Sequence, residues 1–284
     1  MNTTVGARDD SLYYEDGVGP WVEDKHRLVS LYETLFSTGM KRKWDTRVYI
    51  DLYSGPGLVR VRGTDKFLWG SPLLALQVKD PFDRYIFCES NAVALGALRS
   101  RVARLFPGKD VAYVDGDCNQ VVEQICTQIP VPSQQRKVLS FCFVDPYDLS
   151  VKFSTLRRIA EGFFVDFLVL LALGMDANRN LQHYLDAANR KIDDLLGVSN
   201  WRELWAQRYS TERVSFPQFL AEMFAKQMES LGYLPVAFHQ MKPVRSDVKN
   251  LPLYHLALFS RHQLAYSYWG DVLKYSTSQM SLDI

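Results

Sequence analysis

Between residues 47 and 171, short apolar runs alternate with segments of helical period. Residues 47–52, 84–88, 111–114, 137–144 and 163–171 read as strands, and residues 71–78, 92–106, 119–128 and 153–160 as helices. The helix at 71–78 opens on Ser-Pro, a favourable entry because the fixed φ of proline suits a first turn. Near-continuously apolar strands, each followed by a helix, describe a parallel sheet covered on both faces. The expected class is therefore α/β, with an open, doubly wound, mostly parallel sheet.

The flanks extend this frame. Residues 21–37 place Val22, Leu28, Leu31, Tyr32 and Leu35 near helical spacing, an amphipathic helix ahead of the first strand. The first twenty residues are polar and expected to be partly disordered. Residues 176–213 break the rhythm with a polar, Trp-bearing helical insertion. Residues 217–231 return to helix, and 233–239 and 254–259 read as a last pair of strands, giving seven in all. The expected division is 1–45 (tail and helix), 46–175 (core), 176–213 (insertion) and 214–284 (a helix and the strands completing the sheet).

Composition narrows the function more than the fold. The 284 residues carry 33 Lys and Arg against 32 Asp and Glu, a net charge of +1. That balance argues against a grossly basic nucleic-acid coat, while leaving room for a local basic patch. Cys88, Cys118, Cys126 and Cys142 form no CxxC pair, and no His stands at zinc-finger spacing, so neither a metal knuckle nor a disulfide framework is expected. No apolar leader and no run of transmembrane length is visible. The expected setting is reducing and cytoplasmic, with no membrane partner.

In an open α/β sheet, ligands bind outside the carboxyl ends of the strands. Those ends carry Asp51, Glu89, Asp115 to Asp117, and Asp145. In "DLYSGPG", Gly55 and Gly57 permit positive φ and close backbone approach. The third glycine of a dinucleotide fingerprint is absent, as is a P-loop Gly-Lys-Ser/Thr. Asp51 suits an ammonium and the glycines a ribose or methionyl chain; the competing reading is a plain tight turn. Glu89 could accept from ribose hydroxyls, although "ESN" also suits a helix cap. Asp117 could accept from an adenine amino group with Cys118 beside the ring, or simply cap a helix. In "VDPYD", Asp145 and a carbonyl fixed by Pro146 could accept from an exocyclic amine while Tyr147 stacks on a base.

Taken together, residues 47–171 resemble Rossmann-type S-adenosylmethionine-dependent methyltransferases. Asp51 with Gly55 and Gly57 is similar to their first motif, Glu89 to the second, Asp117 to the third and Asp145-Pro146-Tyr147 to the fourth. "WVEDKH", "YIDLYSGPG", "GSPLLAL", "FVDP" and "HLALFSRHQLAYSYW" look like the bacterial three-Cys-motif partner proteins, a resemblance covering most of the chain. It implies a seven-stranded methyltransferase sheet, S-adenosylmethionine as cofactor and a radical-S-adenosylmethionine-type protein partner. The cofactor residues it implies are Asp51, Tyr53, Ser54, Gly55, Pro56, Gly57, Glu89, Ser90, Asp117, Cys118 and Asp145. A single proline before Tyr147, with Asp148 after it, departs from the Asp/Asn-Pro-Pro-Tyr of DNA adenine amino-methylating enzymes and is similar to tRNA guanine amino-methyltransferases.

The expected activity is methyl transfer to an exocyclic amino group of RNA or DNA, with Asp145, Pro146 and Tyr147 as catalytic residues. The alternative is a silent S-adenosylmethionine- or nucleoside-binding subunit. Arg60, Arg62, Arg261 and His262 are candidate contacts to nucleic acid. Lys25 and His26 could cover the cofactor pocket, but a solvated helix face is the preferred reading. No H-E-x-x-H or G-x-S-x-G points to a hydrolase.

Overall fold

The computed structural model describes residues 4–5, 10–246 and 250–278. Its centre is a seven-stranded sheet of β3 (Thr46–Asp51), β6 (Arg84–Glu89), β7 (Val111–Asp115), β8 (Val138–Val144), β9 (Val165–Leu171), β10 (Lys242–Arg245) and β11 (Pro252–Phe259). The strand order is β10-β11-β9-β8-β3-β6-β7. All strands run parallel except β11, which is antiparallel to β9 and to β10. Every residue of β3, β8 and β9 is buried, as a sheet covered on both faces demands.

The covering layers are α1 (Val22–Met40), α2 (Ser71–Leu76), α3 (Ala92–Leu105), α4 (Val122–Gln128), α5 (Phe153–Gly162), α6 (Leu181–Leu185), α7 (Lys191–Leu196), α8 (Trp201–Glu212), α9 (Phe216–Ser230) and α10 (Gln263–Ser278). Helix α1 packs against α10 and α2. Tyr32 sits at that junction, 5.4 Å from Phe141 of the sheet and 5.7 Å from Trp269, ring centre to ring centre.

Two departures from the sequence expectation matter. The last strand pair forms, but residues 233–239 do not supply its edge. There the chain is anchored from outside, with Leu234 N–H donating to Ser260 and the Tyr233 hydroxyl to the Val165 carbonyl. The edge strand is β10, where Pro243 is tolerated because an edge has one unpaired side. Second, a small sheet forms in the order β1 (Thr4–Val5), β5 (Phe67–Trp69), β4 (Leu58–Val61) and β2 (Glu15–Val18), with β1 and β2 drawn from the segment before α1 and β4 and β5 from the connection between β3 and α2. It ties residues 10–18 to the core, where a loose tail was expected. Asp10 pairs with Arg101, which is 1% exposed, at 2.8 Å, and Arg60 pairs with Asp16 at 2.7 Å.

Candidate functional site

The strand order reverses between β3 and β8: β6 and β7 extend the sheet one way, β8 and β9 the other. Such a switch point leaves a crevice at the carboxyl ends. A cleft of about 530 Å³ opens there, lined by Tyr53 to Gly57, Ser71, Glu89 and Asp145 to Tyr147, and on its outer side by Glu15 to Gly19, Trp21, Lys25 and His26.

The turn after β3 is built on two glycines with left-handed φ, +60° at Gly55 and +80° at Gly57. A Cβ on Gly55 would meet no heavy atom within 4 Å, so the backbone there borders open space. A Cβ on Gly57 would lie 2.8 Å from Leu98 Cδ1. The first glycine leaves room; the second allows packing. Glu89 faces this turn, its Oε2 accepting from Gly55 N–H at 2.8 Å and its Oε1 from Asn91 N–H at 2.8 Å.

Asp51 is wholly buried beneath the turn. Its carboxylate accepts from the Ser71 hydroxyl at 2.6 Å and from Tyr53 N–H at 3.1 Å. Burial pushes its pKa up to about 7; those two bonds oppose the shift, and nearby Asp145 and Glu89 add to it. Ser71 lines the cleft, so it links the buried aspartate to the wall. Behind Asp51 stand the Tyr49 hydroxyl, at 3.4 Å, and Glu33, itself wholly buried. Burial raises Glu33 to about 8, and the charge on Asp51 contributes to that rise.

On the opposite wall, Asp145 follows β8 and pairs with Lys25 of α1 at 2.5 Å. Lys25 is therefore no solvated face, and His26 beside it is 4% exposed. Burial, then the Lys25 charge, holds the His26 imidazole well below its ordinary pKa. Pro146 is buried, while Tyr147 projects outward at 84% exposure.

Other expected residues lie outside the cleft or have partners within the protein. Asp117 and Cys118 do not line the cleft: Asp117 Oδ1 accepts from the Asn119 backbone and side chain at 2.9 and 3.0 Å, and Cys118 is buried. Ser54 is turned inward, bonded to the Cys88 carbonyl at 3.2 Å, and the Pro56 carbonyl accepts from Arg101. Ser90 leans on Glu89 at 3.4 Å. Arg62 reaches the cleft wall, whereas Arg60 is engaged with Asp16.

Arg261 and His262 are not brought to the cleft. Because β11 runs antiparallel, its carboxyl end lies at the amino end of β9, across the sheet. There Arg261 donates to the carbonyls of Phe163, Ala160 and Leu231, and His262 Nδ1 accepts from Leu264 N–H.

Cleft residues not named as site candidates from the sequence include Glu15, Ser71, Met175 and Tyr254. Met175 belongs to a π-helical turn, Leu173–Ala177, whose Gly174 lies against β11: a Cβ there would meet the Pro252 carbonyl oxygen at 1.9 Å.

No protein-family model and no curated protein matches the chain. Several solved structures are similar to it. Trm1 from Pyrococcus horikoshii, in complex with S-adenosyl-L-methionine, is 10% identical over 93% of this chain and 61% of that one, with a TM-score of 0.47. The protein LPL1258 from Legionella pneumophila is 14% identical over 61% of this chain and 74% of its own, at 0.39. An O-methyltransferase from Bacillus cereus, in complex with SAH, is 11% identical over 70% and 73%, at 0.37.

Proposed function

We propose that this chain binds S-adenosylmethionine in the β3/β8 cleft and transfers its methyl group to an exocyclic amino group of a nucleic-acid base. The observation that carries the reading is the convergence, at one switch point, of an open glycine turn, the Glu89 carboxylate and Asp145-Pro146-Tyr147. The cleft volume suits a small organic ligand. Ser71, backed by Asp51, would take the ammonium; the open face of Gly55 and Glu89 would take the ribose. When bound, S-adenosylmethionine supplies an electrophilic methyl group whose bond to sulfur breaks as a bond to nitrogen forms, the sulfur keeping the electron pair and the nitrogen shedding a proton to water. The protein's part is positioning: Asp145 accepts from the amine and orients its lone pair, and exposed Tyr147 stacks on the base. A flat base reaching Asp145 has to leave its own stack, which points to a single-stranded or extruded nucleotide.

The test is titration of labelled S-adenosylmethionine followed by incubation with total RNA and DNA. The expected result is binding by the wild type, and loss of transfer with retained binding in Asp145→Ala. Wild-type protein that binds no cofactor rules the proposal out.

A second reading has one observation in its favour: Lys25 already occupies Asp145 Oδ2. In it the cleft binds the cofactor or a nucleoside without turnover, and the chain serves a three-Cys-motif partner protein. Cofactor binding without transfer to either nucleic acid is its expected signature.

A further inference from the structure

Lys25 and Asp145 are 120 positions apart, yet their Nζ and Oδ2 lie 2.5 Å from each other, with the side chains only 13% and 15% exposed. The lysine enters from α1, one helical turn beyond Trp21, and both line the cleft. Three residues past Asp145, Asp148 is held in the same manner by Lys191 at 2.7 Å, which also reaches Asp176 at 3.3 Å. Asp176 in turn accepts from Leu149 N–H at 3.1 Å. The segment is thus fastened on both sides, and Tyr147 between the fastenings is the side chain left facing out.

We infer that Lys25 is a positioning residue of the acceptor site: it fixes Asp145 through Oδ2, leaves Oδ1 as the oxygen offered to the acceptor, and cancels a negative charge beside the methyl donor. The inference rests on the methyltransferase reading. Without Lys25, Asp145 joins Asp51, Glu89 and Glu15 as a further carboxylate around one cleft with no paired cation among the described residues. Such a cluster attracts a sulfonium in the ground state, and tighter ground-state binding does not speed the chemical step. The Lys25–Asp145 pair therefore sets how strongly the cleft prefers the cationic donor over its neutral thioether product.

The experiment is calorimetric titration of S-adenosylmethionine and S-adenosylhomocysteine against wild type, Lys25→Met, Lys25→Arg, Asp145→Asn and the double variant Lys25→Met/Asp145→Asn. Lys25→Met is expected to raise the preference for S-adenosylmethionine by about tenfold, the scale of one charge interaction in a partly solvated site. Lys25→Arg and the double variant should both return toward the wild-type ratio, and Asp145→Asn should move it the other way. Methyl transfer to total RNA or DNA should fall in Lys25→Met and recover in Lys25→Arg. A ratio unchanged in Lys25→Met, or a shift that persists in the double variant, overturns the inference while the methyltransferase reading stands. A wild type that binds neither ligand overturns both.

Discussion

Asp51 and Asp166 are two buried aspartates of one sheet, and burial pushes each up to about 7. Their surroundings differ. Asp166 lies near the amino end of β9, where Ser260 bonds it and the Arg261 charge pulls it down. Arg261 also closes three carbonyls and stacks over Tyr233, 4.5 Å from the ring centre. Asp51 has a hydroxyl and an amide but no cation, and its charged neighbours Asp145 and Glu89 raise it further. One end of the sheet closes its charge internally; at the other, Asp51 has no cationic partner among the described residues, which is why the proposed function gives it the ammonium of the cofactor. A buried acid thus carries functional information through what its neighbours leave unsatisfied.

The glycine turn gives the largest expected effects. Gly57→Ala combines a left-handed φ with a contact at 2.8 Å and should cost about 3 kcal/mol of stability by urea unfolding. Gly55→Ala has open space and should cost about 1 kcal/mol, yet weaken cofactor binding more than about tenfold by filling the space left for ligand. Equal stability losses at the two positions would erase the distinction between packing and binding glycines.

At the other end of the sheet, Arg261→Ala should cost about 2 kcal/mol, because charged hydrogen bonds to three carbonyls are lost. Cofactor affinity should stay within about twofold of wild type, since a stability loss of that size leaves the protein folded. An affinity change as large as that of Gly55→Ala would bring Arg261 back to the site.

The pH dependence is smaller and has a definite sign. Asp51, Asp166 and Glu33 are all raised by burial, so the folded state holds protons that the unfolded chain gives up. Their stabilisation is complete below about pH 4 and is lost as pH rises toward about 8. Urea midpoints of the free protein should fall over that window, less steeply in Asp51→Asn. Cofactor affinity should move oppositely, rising up to about tenfold per unit toward pH 7 as Asp51 ionises. In Asp51→Asn that rise should flatten.

The central sheet was readable because its strands are apolar throughout and separated by helices. The acids at strand ends were readable for the same reason: a carboxylate terminating a buried run stands out. The small sheet was not, since its strands run only two to four residues, too short for a pattern to register, and one of them reads "EDGV". Lys25 was half-legible. It sits one helical turn from Trp21 and Val29, on the face that packs inward, but a charge in such a stripe gains its meaning only from Asp145 across the cleft. Arg261 and His262 were misplaced because strand direction is invisible in composition. Had β11 run parallel, its end would have joined the cleft; antiparallel, it lies at the opposite end of the strands, beside the amino end of β9.

The most direct test pairs the two aspartates in one titration with labelled S-adenosylmethionine at pH 7.5. Wild type and Asp166→Asn should bind alike within about twofold, and Asp51→Asn should bind about a hundredfold more weakly, the scale of a lost charge pair. Equal affinities for the two variants, or no binding by wild type, would contradict the assignment of the open end of the sheet as the cofactor site.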